Sequence, residues 1–86
     1  MCAYKPPPKT LPGFPQAKAT KPKTPIDGTG NKLRKRWVDP DDGTIYEWDY
    51  LHGTVERYDR QGRHLGEYDQ NGDKKHGPKR NRRIDP

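Results

Sequence analysis

Apolar positions are sparse before residue 36 and regular after it. Arg36-Trp37-Val38-Asp39 predicts a short strand, and Pro40-Asp41-Asp42-Gly43 a turn. Thr44-Ile45-Tyr46-Glu47-Trp48-Asp49 is rich in β-formers, and Gly53 separates it from Thr54-Val55-Glu56-Arg57-Tyr58-Asp59. Arg60-Gln61-Gly62-Arg63 predicts another turn, followed by His64-Leu65-Gly66-Glu67-Tyr68-Asp69. Asn71-Gly72 is a strong hairpin signal. Strands recurring about every ten residues with turn signals between them predict an antiparallel meander of about five strands. The expected fold is therefore mainly β: a small, highly twisted sheet with a core drawn from Trp37, Val38, Ile45, Tyr46, Trp48, Val55, Tyr58, Leu65 and Tyr68. No window carries a helical apolar stripe of useful length.

The first thirty residues follow another rule. They hold seven of the ten prolines, interleaved with lysines and threonines. Proline removes a backbone donor and biases its predecessor to extended forms, so 1–30 is expected to be an extended proline-rich arm or linker. Its apolar residues Tyr4, Leu11, Phe14 and Ile26 are candidates for docking on a partner, and Asp27-Gly28-Thr29-Gly30 reads as its flexible end. The organisation is thus an arm, 1–30, and a sheet domain, 31–86.

Composition narrows the function classes. With 86 residues, 26% of them hydrophobic and 35% charged, the chain is too small and too polar for a multidomain enzyme or a large buried pocket. No stretch approaches the roughly 20 apolar residues that span a bilayer, and no short apolar run marks a signal peptide. One cysteine, Cys2, excludes an internal disulfide framework and a thiolate zinc cluster. The net charge of +6 is distributed unevenly: residues 1–30 carry +4, 31–36 carry +4, 37–73 carry −7 and 74–86 carry +5. Basic ends attract polyanions in a salt-dependent way. Ten acids in the middle need a different reason, because carboxylates repel phosphate.

That reason is sought in Asp49-Tyr50-Leu51-His52-Gly53-Thr54-Val55-Glu56. If His52-Gly53 is a two-residue turn, Asp49 faces Glu56 across the hairpin; a four-residue loop instead pairs Asp49 with Thr54. Either way two carboxylates and an imidazole are expected close together. Crowding and burial raise a carboxylate's proton affinity and make it a better base near neutral pH, while a histidine serves as general acid. An arginine from the tail Lys79-Arg80-Asn81-Arg82-Arg83 would hold the phosphate. These parts suit RNA cleavage by its own 2′-hydroxyl, with no metal or other cofactor. Spacing alone is a weak signal, and a solvated hairpin with a surface histidine is the commoner case. His52, His64 and His76 stand twelve apart, but without cysteine support or a helical ligand pair a zinc site is not expected.

The set Arg34-Lys35-Arg36-Trp37, Ile45-Tyr46-Glu47-Trp48-Asp49, His52-Gly53, Glu56, Tyr58, Gly62, His64-Leu65-Gly66, Gly77-Pro78 and Lys79-Arg80-Asn81 resembles the cytotoxic ribonuclease domain of the E-group colicins that inactivate ribosomes. Similar domains end some pyocins and contact-dependent inhibition toxins. The resemblance covers roughly 32–83, and Lys21-Pro22-Lys23-Thr24-Pro25 also resembles the linker before that domain. It implies a twisted antiparallel sheet and a single cut in 16S rRNA at the decoding centre of the small ribosomal subunit, which stops translation. Carried over by motif, Glu56 is the base, His52 the acid, Asp49 the partner of the imidazolium and Arg80 the catalytic arginine. Tyr58, Lys35, Arg36, Lys79, Arg82 and Arg83 are candidate substrate contacts. The stretch before Lys79 is shorter than in that family, and His76 replaces a lysine.

The resemblance further implies an acidic cognate immunity protein as partner, a monomer outside that complex, and no DNA or membrane partner. The chain is expected to be the toxic module of a longer protein, secreted or delivered at a cell surface and acting in the cytoplasm of a target bacterium. Two other readings stand beside it: a non-catalytic RNA- or ribosome-binding module with basic arms, and a metal-dependent nuclease.

Overall fold

A computed structural model describes residues 4–26 and 32–86; Cys2 and the Asp27–Gly30 stretch lie outside the described residues. The described chain contains six strands and no helix: β1 (Lys18–Thr20), β2 (Arg36–Val38), β3 (Ile45–Asp49), β4 (Thr54–Tyr58), β5 (His64–Tyr68) and β6 (Lys74–His76). They form one antiparallel sheet in sequence order, β1-β2-β3-β4-β5-β6. Strands β2–β6 are the meander expected from the alternation and the turns. Gly43, Gly53, Gly62 and Gly72, one in each connection between successive strands of that meander, all take positive φ, which costs glycine nothing.

β1 is the unexpected strand. All three of its residues are exposed, so it carries no alternation to read, and its place comes from backbone pairing on the free edge of β2. The segment before it also joins the fold. Leu11 is buried with Trp37, Tyr46, Trp48 and Val55, and Phe14 and Ala17 pack against that cluster. The indole N–H of Trp48 donates to Lys5 O at 2.8 Å, and that of Trp37 to Lys9 O at 3.4 Å. Gly13 passes so close to Asn71 and Gly72 that a Cβ would collide with their backbone. Arg57 lies against the rings of Phe14, Tyr46 and Tyr68 at 5.1–5.6 Å. Leu11 and Phe14, expected as candidates for docking on a partner, thus pack on this sheet.

The sheet's two faces differ in kind. Pairing places Trp37, Tyr46, Trp48, Val55 and Tyr68 on the face that the arm covers. The other face carries a row of ionisable residues across five strands: Arg36 opposite Glu47, Glu47 opposite Glu56, Glu56 opposite Glu67 and Glu67 opposite His76. The C-terminal tail packs near this row. His64 N–H donates to Arg82 O at 3.2 Å and Ile84 N–H to Gly62 O at 2.9 Å. A side chain at Gly62 would strike Ile84 O, so glycine is required there by close approach as well as by φ.

Candidate active site

The hairpin joining β3 and β4 has a four-residue loop. Asp49 pairs with Thr54 and Glu47 pairs with Glu56, so of the two registers left open the four-residue loop is the one formed and the two-residue turn is not. Asp49 and Glu56 still share a face, because each stands two residues from the other's partner. Asp49 organises the loop. Its Oδ1 accepts the backbone N–H of Leu51 at 2.9 Å and of His52 at 3.0 Å, and its Oδ2 lies 2.8 Å from His52 Nδ1. Burial alone would raise the Asp49 pKa, but the bonds from the His52 side chain and the loop amides outweigh it and hold it below the usual carboxylate range. Asp49 raises the His52 pKa in return, by hydrogen bond and by charge. With Nδ1 engaged, the open nitrogen of His52 is Nε2, on a side chain 62% exposed.

Glu56 is 2% exposed, and its pKa is raised, first by burial. Its Oε1 lies 2.7 Å from Nε2 of His64, which is also buried. The His64 tautomer follows from the bonding: Lys79 N–H donates to Nδ1 at 3.0 Å, so Nδ1 bears no proton and Nε2–H donates to Glu56. His64 therefore fixes one carboxylate oxygen and leaves Oε2 to face the site. Arg82 Nη1 stands 3.6 Å from that Oε2, and Arg82 Nε donates to Tyr58 OH at 3.0 Å. Burial would lower the Arg82 pKa, but Tyr58 and Glu56 outweigh it and raise it, so the guanidinium is firmly charged.

Glu67 completes the group. Its Oε2 accepts the Thr54 hydroxyl at 2.5 Å, and donor atoms of Asp49, His52 and Glu67 all come within 4.8 Å of one another. That spacing would also admit a cation. Asp49 Oδ2 is hydrogen-bonded to His52, Asp49 Oδ1 to two amides and Glu67 Oε2 to Thr54, so both carboxylates are also held by hydrogen-bond donors. A cavity of about 430 Å³ opens beside this group, lined by Asp49, His52, Arg82, Arg34, Tyr50 and Leu51 among others. Its size lies within the range of small-ligand pockets.

The structure sorts the remaining candidates. Arg80 is exposed and lines a separate cleft with Lys79, Arg83, Arg63 and His64, and the guanidinium beside Glu56 is that of Arg82. Arg36 is no surface phosphate ligand. It is 3% exposed and its Nε and Nη2 donate to Glu47 Oε2 at 3.0 and 2.7 Å, because the register sets it opposite that acid. Lys35 places its ammonium 5.7 Å from the Trp37 ring centroid. Tyr58 is buried and meets the His64 ring edge-on at 5.3 Å, so it orients Arg82 rather than offering a stacking surface.

His64 and Glu67, which the sequence did not single out, join this group, and Arg82, expected as a substrate contact, stands beside Glu56. Strict alternation puts residues 64 and 67 on opposite faces. A bulge intervenes: Arg57 pairs with Gly66 but Tyr58 pairs with His64, so Leu65 is extra and His64 turns to the face of Glu56. Gly66 within a strand pattern was the available signal.

Residues 5–85 match the model of the protein family described as Cytotoxic. The chain is 42% identical over 85 residues to colicin-E6 of Escherichia coli, covering 94% of this chain and 15% of that protein. Over the same coverage it is 44% identical to cloacin and 42% identical to colicin E3, both of Escherichia coli. The chain therefore spans 15% of the length of these curated relatives. With a match running over nearly its whole sequence, the chain belongs to the Cytotoxic family.

Proposed function

We propose that this chain is a toxin endoribonuclease that cuts 16S rRNA at the decoding centre of the small ribosomal subunit and so stops translation. The observation that carries the reading is the convergence of a buried, His64-anchored Glu56, an Asp49-supported His52 and the Arg82 guanidinium on one sheet face. Glu56 Oε2 takes the proton of the 2′-hydroxyl. The 2′-oxygen then attacks phosphorus, and Arg82 stabilises the charge that builds on the phosphorane oxygens. His52 Nε2–H protonates the 5′-oxygen as its bond to phosphorus breaks. The products are a 2′,3′-cyclic phosphate and a 5′-hydroxyl. Asp49 keeps the imidazole oriented, and holds it charged until that proton leaves.

The likeness to colicin-E6, colicin E3 and cloacin supports delivery as part of a longer secreted protein, with action in the cytoplasm of a target bacterium. Exposed Lys79, Arg80 and Arg83 beside the site suit a phosphate backbone, and equally an acidic immunity protein that would shield the producing cell. The competing reading, a binding module without catalysis, has no use for carboxylates buried on the ligand-facing side. Primer extension across rRNA from treated ribosomes tests the proposal. One new stop at the decoding centre is expected, and undamaged 16S rRNA after prolonged incubation with active ribosomes would overturn it.

A further inference from the structure

One member of the row of ionisable residues, Glu67, lies against Asp49 and His52 yet has no part in the steps above. Glu67 faces Glu56 across β4 and β5, and such opposed carboxylates have Cβ atoms about 5 Å apart. Like charges in that position destabilise a sheet, and the other acid pair of the row, Glu47 with Glu56, is relieved by Arg36 on Glu47. Glu67 has no buried guanidinium of this kind on it. His76 Nε2 lies 3.9 Å from its Oε1 on a side chain that is 68% exposed. Arg82 approaches Glu56 but forms no ion pair with Glu67. The carboxylate is nevertheless fixed, 12% exposed, by the Thr54 hydroxyl. It also lies against Asp49 and His52.

We propose that Glu67 is a positioning residue of the cleavage site, whose charge, held by Thr54 between Glu56 and His52, sets the pH range in which the base is open and the acid is loaded. The inference rests on the acid–base roles given above to Glu56 and His52. The charged and titratable groups facing this point are Arg36 from β2, Glu47 and Asp49 from β3, His52 from the loop, Glu56 and Tyr58 from β4, His64 from β5, His76 from β6 and Arg82 from the tail. Among them Glu67 adds negative charge to both reacting partners. It reinforces the rise at Glu56, which burial leads, and the rise at His52, which Asp49 leads. A raised base and a raised acid move both limbs of a bell-shaped profile to higher pH. One acidic residue therefore shifts the working window of the site without touching substrate.

The test is the pH dependence of kcat/KM for rRNA cleavage in intact ribosomes by the native chain, Glu67→Gln, Glu67→Asp and Glu67→Thr. Removing the charge in Glu67→Gln should move both limbs down by about one pH unit, given a charge about 5 Å away in a partly solvated site. Cleavage then falls up to about tenfold on the alkaline limb and is equal or faster on the acid limb, so the two profiles cross. Glu67→Thr should behave alike, and Glu67→Asp should keep the native profile. NMR titration of His52 supplies a reading independent of turnover, and its pKa should fall in Glu67→Gln. A bell that is lowered evenly without moving, or a His52 titration that does not change, would overturn the proposal. Absence of cleavage by the native chain would instead overturn the ribonuclease reading, while the His52 titration would still report on Glu67.

Discussion

Arg82→Ala should disable this site, and Arg80→Ala should not. The Arg82 backbone is held apart from its side chain: its N–H donates to Lys79 O at 3.1 Å and its carbonyl accepts His64 N–H at 3.2 Å. Truncation leaves those bonds in place. The stability cost is then mainly the lost bond to Tyr58, about 1 kcal/mol. The catalytic cost is larger. Removing one charged donor aimed at developing oxyanion charge typically costs about 10²–10³ in kcat, or about 2.7–4 kcal/mol. Glu56 also loses the cation 3.6 Å from its Oε2, so its proton affinity rises further and the acid limb of the pH profile moves up. Arg80, exposed in the neighbouring cleft, has only screened contacts to lose, and its removal should cost less than about tenfold at physiological salt. Time courses of rRNA cleavage in intact ribosomes, with thermal unfolding of each variant, give both quantities. A collapse of activity in Arg80→Ala beside near-native Arg82→Ala would refute the geometric assignment in favour of the motif.

Other consequences are equally open to measurement. His52→Ala and Glu56→Gln should each lower cleavage about 10²–10⁴-fold while ribosome binding persists, and near-native rates in either would reject the roles given to them. Leu11→Ala should cost about 2–5 kcal/mol in chemical unfolding, and a change under about 1 kcal/mol would show that the arm is no part of the core. His52 should titrate above the ordinary histidine value, and Asp49→Asn should bring it down. The signs set a window for that pair: the contribution of His52 is complete below its unfolded pKa and fades as pH rises through the elevated folded one. Asp49, depressed in the folded state, contributes above its unfolded pKa and loses this as pH falls through the folded one. A His52 titration unmoved by Asp49→Asn would contradict the pairing.

The meander was legible because two signals agreed: alternation along each strand and glycine-bearing turns between strands. Asp49, His52 and Glu56 were legible as a cluster, since any tight hairpin at Gly53 keeps them near, but loop length was not, and one residue of loop moves every partner. β1 carried no signal because backbone pairing at a sheet edge asks nothing of exposed side chains. Leu11 stands among prolines with no periodic neighbour, so its burial is decided by tertiary packing alone. Arg36 read as one of a run of cations, yet its register opposite Glu47 turns it inward. His64 was hidden by a bulge that reverses facing. In the tail no period fixes which way a side chain points, and Arg80 and Arg82 differ only in what the folded sheet presents to them.

The most direct test of the central claim is the chemistry of the cut ends. Transphosphorylation by Glu56 and His52 predicts an upstream fragment ending in a 2′,3′-cyclic phosphate and a downstream fragment beginning with a 5′-hydroxyl, both formed in the presence of a chelator. A 5′-phosphate on the downstream fragment would contradict it, because an external water rather than the 2′-oxygen would then have attacked phosphorus.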